Sequence, residues 1–146
     1  MEENLKKLFC DVKNINSECE LDEPVNEQVL KLAYVGDTIF DLFTSDYLNR
    51  KYGDKITIDE LHKKNSELVC AKNQSKISDF LVDNFFTEDE ISFFKHARNA
   101  HSHSKSKSSS IVEYRKATGL EAILGLLFYI DESRLISVLN EISSLF

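Results

Sequence analysis

The sequence contains few of the residues that form tight turns, with one proline and four glycines among 146 residues. A sheet-rich fold needs many tight turns, and turns draw heavily on glycine and proline. This shortage therefore argues against such a fold and favours helices. Hydrophobic residues make up 42% of the chain, which excludes a disordered chain and is enough for one core. We expect a single all-α domain over residues 1–146.

Cysteine is also scarce, since the chain has only Cys10, Cys19 and Cys70 and no Cys-x-x-Cys pair. An odd number of widely spaced cysteines argues against both a disulfide framework and a zinc site. The cysteines are therefore expected to be free thiols in a reducing, cytoplasmic setting.

Long apolar runs are absent, because no stretch reaches the roughly 20 residues that span a bilayer. The first residues, Met-Glu-Glu-Asn-Leu-Lys, lack the basic start and apolar stretch of a secretion signal. We therefore expect neither a membrane span nor a membrane partner.

The charge is acidic overall but unevenly distributed. The chain has a net charge of −7, yet residues 95–116 contain six basic residues and one acidic residue, a net +5, which leaves −12 elsewhere. One basic stretch on an acidic body suits a protein that binds a polyanion at one place. The alternative is a solvated loop that happens to contain lysines.

Apolar residues recur at helical spacing along most of the chain, and we find no convincing strand. Residues 1–25 are expected to hold a short helix and an acidic connector that contains Pro24. Thr87 and Glu90 have the spacing of a capping box, and residues 101–110, rich in Ser, His and Lys, are expected to form an exposed loop. The predicted helices cover residues 4–13, 26–48, 57–82 (as one helix or a pair), 87–99, 111–130 and 131–146.

Two predicted helices each carry a carboxylate inside an apolar run with a glycine close by. Asp37 lies in Leu-Ala-Tyr-Val-Gly-Asp-Thr-Ile-Phe, and Glu121 lies in Thr-Gly-Leu-Glu-Ala-Ile-Leu-Gly. A buried carboxylate is costly unless its charge is compensated, so the pair suggests a shared metal site. Asp41 follows Asp37 on the same helical face, and three carboxylates without Cys or His ligands favour Mg²⁺. Alternatively, Asp37 caps or pairs locally and Glu121 pairs with a basic neighbour.

Three motifs in the sequence resemble the ribonuclease III family. Residues 33–42, Ala-Tyr-Val-Gly-Asp-Thr-Ile-Phe-Asp-Leu, are similar to the N-terminal motif of its catalytic domain. Residues 114–125, Tyr-Arg-Lys-Ala-Thr-Gly-Leu-Glu-Ala-Ile-Leu-Gly, are similar to the C-terminal motif. Residues 98–103, Arg-Asn-Ala-His-Ser-His, resemble the basic loop of the Mini-ribonuclease III branch, which has no appended double-stranded-RNA-binding domain. The resemblance covers about residues 26–145.

The resemblance implies roles for individual residues. Asp37 and Glu121 match the two essential acids of the family, which hold Mg²⁺ (with Mn²⁺ as a substitute), and Asp41 falls where the Mini branch often has an acid. Ala33 and Thr118 stand where full-length ribonuclease III has further acids, which leaves fewer direct ligands. The implied RNA-contact residues are Arg98, Asn99, His101, Ser102, His103, Lys105, Lys107 and Arg115.

The resemblance also implies an activity and partners. We expect an all-helical homodimer that cleaves double-stranded RNA with Mg²⁺ and leaves 5′-phosphates. The substrate class known for the Mini branch is the precursor of large-subunit (23S) ribosomal RNA, cut in a stem, with a ribosomal protein as a possible helper. Two alternatives stay open: a catalytically silent RNA-binding module of the same fold, and a helical interaction protein without a nucleic-acid partner. Retention of both acids favours the enzyme.

Overall fold

The computed structural model describes residues 1–16, 18–100 and 110–146. All regular secondary structure within these ranges is helical, as the composition predicts. The helices are α1 (Glu2–Lys13), α2 (Glu23–Tyr52), α3 (Ile58–Val69), α4 (Ala71–Asn84), α5 (Glu88–Arg98), α6 (Ile111–Ile130) and α7 (Glu132–Ser143). Among these helices, none combines the length and apolar character that a membrane span requires.

Helix α2 is longer at both ends than the sequence pattern predicts. It begins at Glu23, because the Asp22 side chain caps it by accepting a hydrogen bond from the Val25 backbone N–H at 3.0 Å. Pro24 lies in the first turn, where the missing N–H costs no intrahelical bond, so the proline starts the helix and does not interrupt it. The helix ends at Tyr52, before Gly53.

The segment 57–82 resolves into two helices, the second of the two possibilities that the pattern left open. Cys70 is extended between them, with φ −64° and ψ 151°. Capping boxes start three helices, at Thr57 with Glu60, at Thr87 with Glu90 and at Ser110 with Glu113. The predicted box at Thr87 is therefore confirmed.

Helices α2 and α6 form the centre of the molecule. Helix α6 is apolar around its circumference, and every residue from Ala117 to Leu127 except Glu121 is buried. The two helices approach so closely that a Cβ atom on Gly36 would overlap the backbone carbonyl of Glu121, and one on Gly125 would overlap that of Leu32. Only glycine at these two positions permits the crossing.

The remaining helices surround this crossing. Helix α1 packs on α5 and α6: its Leu8 and Val12 are buried, and Phe9 forms an edge-to-face ring pair with Phe93 of α5. Arg134 at the start of α7 binds the buried Glu90 of α5 through two N–H donors at 2.8 and 2.9 Å. These contacts hold the outer helices around α6.

Candidate active site

The α2–α6 crossing brings together the two acids that the sequence singled out. Gly36 lies against the backbone of Glu121, and Asp37 follows it directly on α2. The two carboxylates are close enough for the negative charge of Asp37 to raise the pKa of Glu121. Acids 84 positions apart in the chain therefore share one site.

Burial dominates the electrostatics of this site. Desolvation of the Glu121 carboxyl, with a smaller contribution from Asp37, raises its pKa from 4.5 to about 8. Asp37 is more exposed, and its pKa is raised first by partial burial and then by the charge of Asp41. Both shifts are those of carboxylates whose negative charge lacks compensation.

Among the residues that the structure describes, no basic side chain pairs with Glu121, the alternative interpretation of the sequence. Its described partner is the amide of Gln74 on α4, whose Nε2 donates to Glu121 Oε1 at 3.1 Å. This hydrogen bond favours the charged carboxylate and so lowers the pKa of Glu121, but burial outweighs it.

Gln74 is a site residue that sequence reasoning missed. It is 2% exposed, and it also donates to the Val69 carbonyl at 2.9 Å, across the α3–α4 junction. The only sequence signal was its spacing, since Gln74, Ile77, Ser78 and Leu81 form the buried face of α4. A polar side chain at a helical core position was the available clue.

Asp41 lies one turn after Asp37 and is held from the neighbouring helix. The Asn65 side chain on α3 donates from Nδ2 to Asp41 Oδ1 at 2.7 Å. The Thr44 hydroxyl lies 2.6 Å from Asn65 Oδ1 and donates to it, which fixes the orientation of the Asn65 amide. One oxygen of Asp41 is thus occupied by the protein.

These acids fit a hard divalent cation in chemistry but do not form a complete ligand set. Carboxylate oxygens are the donors that Mg²⁺ and Mn²⁺ prefer, and the raised pKa of both Asp37 and Glu121 reflects the need for a positive charge. Among residues 1–16, 18–100 and 110–146, however, no three His, Cys, Asp or Glu side chains form a group that could hold an ion. The inclusion of Asp41 as a ligand stays a prediction.

The predicted RNA-contact residues fall into two groups. His101, Ser102, His103, Lys105 and Lys107 lie outside the described residues. Arg98 is half-buried at the end of α5, where its Nε is 3.4 Å from Asn99 Oδ1, while Arg115 is exposed on the first turns of α6. Lys116, which contributes to the basic stretch, is partly neutralised by Asp79 at 2.8 Å.

Comparisons with known proteins identify relatives of this chain. Residues 30–132 match the Ribonuclease III domain. The chain is similar to Mini-ribonuclease 3 of Staphylococcus aureus, with 36% identity over 77% of this chain and 84% of that protein. Mini-ribonuclease 3 of Enterococcus faecalis is 37% identical over 67% of this chain and 74% of its own length.

A solved structure shares the fold as well. The crystal structure of protein FN1578 from Fusobacterium nucleatum superposes with a TM-score of 0.68 and 28% identity, covering 80% of this chain and 91% of that one. Both site acids lie inside the matched domain. The chain therefore belongs to the ribonuclease III family of endoribonucleases, in its Mini-ribonuclease III branch.

Proposed function

We propose that this protein is a Mg²⁺-dependent endoribonuclease that cleaves double-stranded RNA, with Asp37 and Glu121 as its catalytic acids. The observation that carries the proposal is the pair of acids that the α2–α6 crossing brings together, the exposed Asp37 and the partly buried Glu121, whose pKa values are both raised and which no described lysine or arginine neutralises. A site of this kind destabilises the metal-free protein and is stabilised by a cation.

Asp37 and Glu121 would hold the ion, and Asp41 would either ligate it or orient a bound water. A bound Mg²⁺ supplies two things: a lower pKa for a water molecule, and positive charge beside the oxygens of a phosphodiester. The acids would hold the ion, and a carboxylate would accept the proton of the attacking water. A P–O bond from water would form as the bond to the 3′ oxygen breaks; the 3′ oxygen would take up a proton from solvent and become a hydroxyl, and the other fragment would keep a 5′-phosphate. Mn²⁺, which has similar ligand preferences, would substitute.

Duplex RNA, a polyanion, suits the basic stretch of residues 95–116 on an otherwise acidic protein. Major-groove base edges of A-form RNA are inaccessible to side chains, so recognition relies on phosphates and 2′-hydroxyls. We assign these contacts to Arg98, Asn99 and Arg115, together with the polar and basic residues His101, Ser102, His103, Lys105 and Lys107. A two-fold homodimer would present two sites to the two strands of one duplex.

The resemblance to the Mini-ribonuclease III branch supports a proposal for the specific substrate. We propose a cytoplasmic role in trimming a stem of the large-subunit (23S) ribosomal RNA precursor. In this role, the surface that binds the RNA would be formed by the dimer, or a ribosomal protein already bound to the RNA would contribute to it.

Cleavage of a labelled RNA stem tests the activity. The wild type, Asp37→Asn and Asp54→Asn are compared in Mg²⁺ and in chelator. Asp54 is an exposed acid two residues after Tyr52, the last residue of α2, which lies about 22 Å along the helix axis from Asp37, so Asp54→Asn is the matched control. We expect metal-dependent cleavage by the wild type and Asp54→Asn, and binding without cleavage by Asp37→Asn.

Other outcomes contradict the proposal in distinguishable ways. If the wild type binds the stem and does not cut it in Mg²⁺, the chain is a silent RNA-binding module. If Asp37→Asn cuts at the wild-type rate, Asp37 is not a catalytic acid. If no variant binds or cuts, the family relationship extends to the fold and not to the activity of this chain.

A further inference from the structure

Gln74 uses its side-chain amide in an unusual way for a buried residue. Both hydrogens of Nε2 are committed, one to the Val69 carbonyl at 2.9 Å and one to Glu121 Oε1 at 3.1 Å. The carbonyl oxygen Oε1 is buried and has no hydrogen-bond partner among the described residues. Rotation of the amide by 180° would turn this oxygen towards two acceptors, so only the observed orientation is favourable.

This arrangement fixes the catalytic carboxylate from a second helix. A glutamate side chain has three rotatable bonds, and packing of α6 alone restrains only its base. The Gln74 amide, itself anchored to the end of α3, holds Oε1 of Glu121. No described residue donates a hydrogen bond to Oε2, so this second oxygen is left for an incoming group.

The burial of Gln74 is costly if its role is only to join α3 to α4. An unpartnered buried carbonyl oxygen loses its hydration without replacement, and an apolar side chain of similar size would avoid this loss. The junction also has a second amide of its own, since Asn73 Nδ2 donates to the Leu68 carbonyl at 2.8 Å. What Gln74 adds is the bond to Glu121.

We propose that Gln74 is a positioning residue for Glu121, which holds one carboxylate oxygen so that the other faces the divalent cation. The inference rests on the proposed metal-dependent function. Groups that orient metal ligands from the second layer typically change metal affinity or activity by about 10- to 100-fold when they are removed. Gln74 touches neither the ion nor the RNA in this arrangement, so its effect passes through Glu121.

The first test compares Gln74→Met, which keeps the length and loses the donor, with Asn73→Leu, which removes the neighbouring amide and leaves Glu121 untouched. The readouts are kcat and KM on a labelled RNA stem, and Mn²⁺ affinity without RNA by electron paramagnetic resonance. We expect Gln74→Met to lower kcat and Mn²⁺ affinity by about 10- to 100-fold with KM changed by less than about twofold. Asn73→Leu should change each by less than about twofold.

The second test uses the wild-type protein and so does not depend on a variant that folds. The side-chain amide resonances of Gln74 and Asn73 are followed by NMR while Mg²⁺ is added in the absence of RNA. Because Glu121 would bind the ion, the Gln74 amide signals should shift, and those of Asn73 should stay within the change of distant amides.

The outcomes separate this inference from the proposed function. Equal effects of Gln74→Met and Asn73→Leu, or equal small shifts of both amides, overturn the positioning role even if the wild type cleaves RNA. If the Gln74 amide responds to Mg²⁺ while the wild type fails to cut RNA, the positioning role stands at a metal site and the nuclease proposal fails.

Discussion

Glu121 makes the stability of the metal-free protein depend on pH, with a predictable sign. Its pKa is raised to about 8 in the folded state, while the unfolded chain keeps a value near 4.5. Between these two values the folded state holds a proton that the unfolded state has lost, so unfolding releases one proton. The contribution of Glu121 to stability is complete below pH 4.5 and is lost as the pH rises through about 8.

The size of this effect follows from the same two values. One pH unit corresponds to about 1.4 kcal/mol per proton. From 4.5 to about 8 the loss therefore has an upper limit of about 5 kcal/mol. This is a large part of the roughly 5–15 kcal/mol by which a domain is usually stable.

The perturbation is Glu121→Gln, which keeps the shape and removes the charge. Urea unfolding in chelator at pH 5, 6, 7 and 8 gives the free energy of unfolding for the wild type, Glu121→Gln and the exposed control Glu132→Gln. At pH 5 the three should be similar. At pH 8 Glu121→Gln should be more stable than the wild type by several kcal/mol, because a neutral amide avoids the desolvated charge.

Measuring the free energy of unfolding with Mg²⁺ added gives a second, independent test of the same reasoning. At pH 8 the ion should stabilise the wild type and leave Glu121→Gln much less affected, since binding to the folded state alone raises its stability. Parallel pH profiles of the wild type and Glu121→Gln in chelator would refute the reasoning, because the Glu121 carboxyl would then be solvated in the folded protein.

Three further changes test the framework around the site. Gly36→Ala should destabilise the protein by about 3 kcal/mol or more in urea, because its Cβ would overlap backbone and not a movable side chain; a change below 1 kcal/mol would mean that the helices separate easily. Arg134→Ala leaves Glu90, which is 5% exposed, without its ion-pair partner and should lower the free energy of unfolding by about 3–5 kcal/mol. Lys13→Ala, at an exposed ion pair, should lower it by less than about 1 kcal/mol. Equal losses for the two variants would contradict this reasoning. Arg115→Ala should weaken duplex RNA binding with kcat unchanged. The plot of the logarithm of the binding constant against the logarithm of salt concentration should become less steep by about 1; an unaltered slope would show that Arg115 does not contact the RNA.

The helices could be predicted because their signals are local. The Thr87 capping box and the apolar spacing of α6 depend on residues within a few positions of one another. The sequence pattern predicts that α2 begins at residue 26, three residues after its observed start at Glu23, because Pro24 is typical of a connector. Proline both ends helices and begins them, and only the Asp22 cap distinguishes the two cases.

The site could be predicted only in part, because its partners come from different helices. Asp37 and Glu121 were identified as acids in apolar runs beside glycines, and the family motifs support the same pair. Gln74 has no such signal, since it stands in the polar run Lys-Asn-Gln-Ser-Lys at residues 72–76. Its role depends on the packing of α4 on α6, which no local pattern specifies.

Core packing and the site are coupled at the α2–α6 crossing. The absence of a side chain at Gly36 lets the α2 backbone approach the backbone of Glu121, and the Glu121 carboxyl is desolvated at this crossing. The same desolvation that raises the pKa of Glu121 strengthens its attraction for a cation, because the interaction of charges grows as the effective dielectric constant falls. A more solvated Glu121 carboxyl would cost the metal-free protein less at pH 8 and would bind a cation more weakly. Gly36, the partly buried Glu121 and the Gln74 amide therefore link folding to ion binding.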